Sequence, residues 1–153
     1  MVEAPLLAAS RPRPIIVGSI ELLDHELRTR CLDLFNTFQE SGQSERNDTV
    51  VSEASRILEN RLRTVTGSSD GSNAKQLVTS AFNGDKPRLR VSNVRAEQEA
   101  VQLLFLGTFG FIRNQVQYKL LGNVPAERVL QVLGWVDYLL GVIAQVEPVT
   151  DAP

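Results

Sequence analysis

The segment AEQEAVQLLFLGTFGFIRNQVQYK, residues 96–119, constrains the fold more than any other stretch. It opens with Glu97 and Glu99 and closes with Arg113, Asn114 and Lys119. Negative charge at a helix start and positive charge at its end both complement the helix dipole. The middle, Leu103–Ile112, is apolar on nearly every side. A helix of this kind is expected to be buried all round, inside its own domain or against a partner chain. Gly107 and Gly110 sharpen the expectation. A helical glycine costs about 1 kcal/mol relative to alanine, so two together predict that another helix approaches closely there.

A helix that must be covered needs helices to cover it, and the rest of the chain supplies them. Residues 1–18 carry Pro5, Pro12 and Pro14, which block a continuous helix and predict an extended arm whose Ile15, Ile16 and Val17 can dock on the domain. From Ser19, a suitable N-cap, to about Gln39, Ile20, Leu23, Leu27, Cys31, Leu34 and Phe38 recur at helical steps. Residues 40–48 break the pattern. Asp48 can cap a second helix running to about Thr66, with Gly67 ending it. Its charged residues Glu53, Arg56, Glu59, Arg61 and Arg63 read as a solvated face with helix-spaced ion pairs. A third helix is expected over 74–82. PRLRV (87–91) then alternates basic and apolar residues, which predicts a small extended, β-like excursion near 86–92. A turn at 120–123 leads to a last helix from Asn123 and Pro125 to about Val146, and a frayed tail covers 148–153. The expected class is all-α: a compact bundle of about five helices forming one domain over 19–147.

Composition removes several kinds of chemistry. The chain of 153 residues has one His and one Cys. One chain therefore cannot supply a four-ligand Cys/His zinc site, nor an internal disulfide, and any imidazole-based triad must use His25. A net charge of -2 excludes a polycation that coats nucleic acid by charge alone. It leaves room for a local patch, and Lys86, Arg88 and Arg90 form the densest one. They read as a solubilising loop or as a phosphate-contacting rim. No apolar run approaches the roughly 20 residues of a membrane span, and the N-terminus lacks a basic, then apolar, leader pattern. Together with one free thiol, this predicts a cytoplasmic protein with no membrane contact. No glycine-rich phosphate loop or basic recognition helix is present. Carboxylate pairs such as Glu97 and Glu99, or Glu53 and Glu59, do not by themselves indicate acid–base work. No cofactor or metal is expected.

The chemical content lies in IRNQVQYK, residues 112–119, where an apolar helix ends in Arg113 and Asn114. With ASRILENRLRTVTG (54–67), the pair Ala81–Phe82 and EQEAVQLLFLGTFGFIRN (97–114), this stretch resembles the HEPN superfamily of small helical proteins, and within it the Ymh-type proteins. The likeness runs from about residue 48 to residue 146 and is looser in the last helix. Many HEPN proteins are ribonucleases of prokaryotic defence and toxin–antitoxin systems. Their signature is Arg, a polar residue, three variable residues and His. Arg113 and Asn114 match it, whereas Tyr118 stands at the His position. Gln115 and Gln117 replace the proline and alanine common in the Ymh-type proteins.

The resemblance implies metal-independent RNA cleavage, with the Arg holding phosphate and the His moving the proton of the ribose 2′-hydroxyl. Histidine, with a pKa near 6.5, suits that task; a tyrosine near pKa 10 is a poor base at neutral pH. Arg113, Asn114 and Tyr118 are thus the candidate catalytic set, in a chain expected to be inactive or weakened. Arg113, Lys119, Arg88 and Arg90 are the candidate RNA- or phosphate-binding residues. Residues 113 and 118 diverge by roughly 140° on a regular helix, so either the helix deforms near Asn114 or the site is shared between two chains. The resemblance implies a homodimer around such a cleft, and an antitoxin or defence-system protein as a further partner. The competing expectation is a non-catalytic homodimeric RNA- or nucleotide-binding module, or a structural one.

Overall fold

The computed structural model describes residues 21–68, 71–114, 124–146 and 149. The expected N-terminal arm, the Ser19 cap, Gln115, Gln117, Tyr118, Lys119, the 120–123 turn and, Val149 apart, the tail lie outside the described residues.

Five principal helices make up the described fold. Helix α1 runs from His25 to Glu40 as α-helical His25–Leu27 and Asp33–Glu40 around a π-helical segment, Arg28–Leu32. A 3-10 turn, Ser44–Arg46, leads into α2, Asn47–Thr66. Helix α3 spans Ala74–Phe82, and α4 spans Arg95–Gly107 before passing into a second π-helical segment, Thr108–Ile112. Helix α5 is Ala126–Ala144. Among the described residues there is no sheet, so the all-α expectation holds.

Helix α2 is the hub. Its apolar face buries Val50, Val51, Ala54, Ile57, Leu58 and Leu62, and it touches α1, α3, α5 and the π-helical end of α4. Helix α5 lies along it through Val129, Leu133, Val136, Leu139, Leu140 and Ile143. Helices α3 and α4 meet through Phe82 and Phe105, whose rings tilt by 37° at 4.7 Å. Such a pair adds about 0.5–1.5 kcal/mol to the area that it buries. Gly67 ends α2 at φ 65°, the left-handed conformation that a side chain with a Cβ resists.

Two helix starts differ from the expectation. Residues 21–24 are not helical, and α1 begins at His25 with Asp24 as its cap, accepting from the Leu27 N–H at 3.0 Å. The start is fixed from outside: Asp137 of α5 accepts the backbone N–H groups of Leu23 and Asp24, and Arg61 of α2 bridges Asp24 and Glu26. Helix α2 begins at Asn47 rather than after Asp48. Asn47 is buried, donating to Val124 O at 2.9 Å and accepting from Gln39 at 2.8 Å, so it ties α1 and the approach to α5 to the hub.

The excursion after α3 is extended around a single bridge residue, Leu89, and forms no strand. Buried Gln98 of α4 holds it. Its amide donates to Phe82 O (3.1 Å) and Leu89 O (2.9 Å), and its oxygen accepts from Val91 N (2.8 Å) and Ser92 N (3.2 Å). One side chain thereby satisfies four backbone groups that a neighbouring strand would otherwise serve.

The expectation that Leu103–Ile112 is buried all round does not hold within this chain. Phe105 and Phe109 are buried, but Leu103 and Phe111 are 68% and 65% exposed. No described atom outside the local helix backbone lies within 4 Å of where a Cβ would stand on Gly107 or Gly110, so no described helix makes the expected close approach there. Beside this face, Trp135 and Tyr138 stack at 5.8 Å on the surface of α5.

Candidate functional site at the end of the central helix

Arg113 stands where the π-helical segment of α4 ends, and its own N–H donates to Gly110 O. A π turn contains more residues than an α turn, so the segment turns Arg113 away from the direction that the α-helical pattern of Leu103–Gly107 would give it. This segment lies before Arg113, and the path beyond Asn114 to Tyr118 lies outside the described residues. Thr108 marks the start of the segment. The Thr108 hydroxyl donates back to Leu104 O (2.7 Å) and accepts from Trp135 Nε1 (2.9 Å), which ties the segment to α5.

From there the Arg113 guanidinium reaches α2 and pairs with Glu59. It also lies 5.7 Å from the centroid of the Phe109 ring, a cation–π distance. Glu59 is shared: its other oxygen accepts from Arg63 at 3.1 Å. Burial alone would raise the Glu59 carboxyl, but hydrogen bonding and charge from Arg113, followed by Arg63, hold it below the usual carboxylate range. Glu59 is therefore ionised at neutral pH and positions two arginines.

A cleft of about 320 Å³ opens beside this pair. Val51, Ser52, Ser55, Arg56 and Glu59 of α2 form one wall, and Ile112 and Arg113 form the other. Positions 52, 55, 56 and 59 follow helical spacing and share one face of α2. Sequence alone places Arg56 and Glu59 on a solvated face and does not single out Ser52 or Ser55. The signal was present as a polar stripe, but only the end of α4 turns that stripe into a wall.

The other α2 charges are also more than a solvated face. Glu53 has a mostly covered side chain and binds Arg30 of α1 and Arg56, while Arg61 clamps the start of α1. Glu53 and Glu59 are each engaged by arginines, so they do not form an acid–base pair.

The remaining candidates are dispersed. Arg88 donates from Nη1 to Thr66 O at 2.9 Å, capping the C-terminus of α2. Thr66 is seven residues beyond Glu59, or about 10 Å along the helix axis. Arg88 and Arg90 line a separate surface hollow with Lys86, and neither reaches the Arg113 cleft. Asn114 is exposed. His25 sits exposed on the first turn of α1 and does not line the cleft. Cys31 is fully buried, which pushes its thiol up to about 12 and leaves it unreactive. Among the described residues no group of three or more His, Cys, Asp or Glu is placed to hold a metal, and no helix is long and apolar enough to cross a membrane.

The family described as Protein of unknown function (Hypoth_ymh) matches residues 24–143. The chain belongs to this family. The matched span takes in the whole Hypoth_ymh helical scaffold from the Asp24 cap to Ile143, including both walls of the Arg113 cleft. No curated protein and no solved structure matches the chain.

Proposed function

We propose that this chain is a HEPN-type, ribonuclease-like domain of a prokaryotic defence or toxin–antitoxin system, and that it binds RNA through Arg113 with cleavage weakened by Tyr118. The observation that carries this reading is Arg113, set by a π-helical segment at the mouth of a polar cleft. Its planar guanidinium is suited to phosphate oxygens. The resemblance of the chain's order of segments to that of HEPN proteins supports the cleavage chemistry. Lys86 and Arg90, exposed farther along the molecule, would contact neighbouring phosphates of the same strand.

The test has two arms. RNA binding should fall steeply with salt, and Arg113→Ala should weaken it and lower the salt slope by about one. Tyr118→His should introduce metal-independent RNA cleavage and growth arrest. Binding unchanged in Arg113→Ala would remove the RNA reading, and an inert Tyr118→His would remove its inactivated-enzyme part.

A second reading draws on the Glu59–Arg113 pair and the exposed face of α4: a non-catalytic homodimeric module in which Arg113 is structural. Leu103, Leu104, Phe111 and Tyr138 would form the self-complementary surface, with Gly107 and Gly110 admitting the partner's helix. An antitoxin or other defence protein would compete for the same face. Phe111→Glu should halve the mass measured by light scattering. An unchanged dimer would reject this interface.

A further inference from the structure

The cleft contains a polar group that the described residues leave without a partner. Ser55 is 6% exposed, and its Oγ has no hydrogen-bond partner among the described atoms. A serine inside a helix commonly donates to the carbonyl four residues back. Thr29, Thr37, Thr64, Thr66 and Thr108 all do so here, but Ser55 does not. A buried hydroxyl left unpaired has given up its water without gaining a partner, which is unfavourable. Ser55 is one of the residues lining the cleft, one helical turn from Ser52 and next to Arg56.

We infer that this cleft is an oxyanion subsite that takes a single phosphate group between the Ser55 and Ser52 hydroxyls and the Arg56 and Arg113 guanidiniums. The donor set decides the ligand class. Two hydroxyls and two guanidiniums offer N–H and O–H groups, and the carboxylate in the wall, Glu59, already accepts from Arg63 and Arg113. A cation would meet two positive charges there. An apolar ligand would leave Ser55 unpaired. An oxyanion satisfies Ser55 and uses the guanidinium edges not turned to carboxylates. About 320 Å³ is at the small end of ligand sites, which suits one phosphate with its sugar rather than a folded RNA.

The inference rests on the RNA-binding reading for its biological setting, since the phosphate can belong to an RNA strand or to a free phosphomonoester. The probes are inorganic phosphate, uridine monophosphate and hexauridylate, titrated while the backbone amides of residues 51–59 are followed by NMR. Phosphate and the monophosphate should shift those amides. Ser55→Ala should weaken both by about tenfold, as expected for losing one hydrogen bond to a charged group, with the melting temperature maintained. Arg56→Gln, at an exposed position, should also weaken both. If hexauridylate displaces phosphate, the subsite serves RNA. If phosphate binds and hexauridylate does not, the RNA reading falls and the subsite stands with a phosphomonoester as ligand. If wild type shows no phosphate shifts, or both variants titrate as wild type, the subsite is overturned; RNA binding that still depends on Arg113 would then leave the RNA reading intact.

Discussion

Glu59 of α2 pairs with two arginines at once. It is held ionised by Arg113 and Arg63, and an arginine held this way is both positioned and partly neutralised. Glu59→Gln should therefore have two opposite effects. It should cost about 1–3 kcal/mol of stability by leaving two partly buried guanidiniums under-paired, read from the denaturant midpoint. It should also tighten phosphate binding at Arg113, read by titration. The pH dependence follows from the lowered carboxyl. The unfolded group titrates near 4.5, and the folded group below that. The stabilisation is complete above about pH 4.5 and is lost as pH falls through the folded value. Asp24 acts in the same sense below its ordinary 3.8: burial opposes ionisation, and Arg61 and the Leu27 N–H outweigh it. The stability of Glu59→Gln should therefore fall less on acidification than that of wild type, the two converging once Glu59 is protonated. Arg113 was legible in the sequence because it ends an apolar helix. Glu59 as its partner was not, because they lie 54 positions apart and no local pattern joins them.

At the scale of elements, the helices were largely legible and their exact starts were not. The α3 limits and the Gly67 stop follow from local rules. Asp24 and Asn47 begin their helices because distant groups hold them, Asp137 and Arg61 in one case and Val124 and Gln39 in the other. The excursion over 86–92 was legible as extended but not as an element pinned by Gln98. Gln98→Leu would keep the volume and strand four backbone groups. A loss of about 2–4 kcal/mol is expected, with faster amide exchange at Val91 and Ser92 before the rest of the fold. The π-helical segment before Arg113 also escaped the periodicity, because its residues are apolar on all sides and carry no phase. Deleting Gly110 should remove the extra residue of the widened turn and restore an α-helical path, with Arg113 still directed at α2 because four α steps sweep nearly the arc of the five-residue π segment. The Glu59 pairing should then survive, which NMR of the Arg113 side chain would report.

For the whole molecule, the inward faces of α2, α4 and α5 follow from hydropathy, but the outward face of α4 does not. A stretch apolar all round has no sequence marker to say which side meets its own domain and which a partner; Leu103 and Phe105 differ only in where α3 happens to lie. The contact between Asp137 and the start of α1 joins the two ends of the described domain across 113 residues. Asp137→Ala should speed amide exchange at Leu23 and Asp24 selectively, with little change in the α2–α5 core. The same contact sets an order of events during synthesis. At about 5–20 residues per second, the ribosome delivers Asp137 roughly 6–23 s after Asp24. Once Arg61 has followed, it and the buried Leu27 hold the start of α1 against α2, and that corner of the nascent domain stays open until its last helix arrives and closes it.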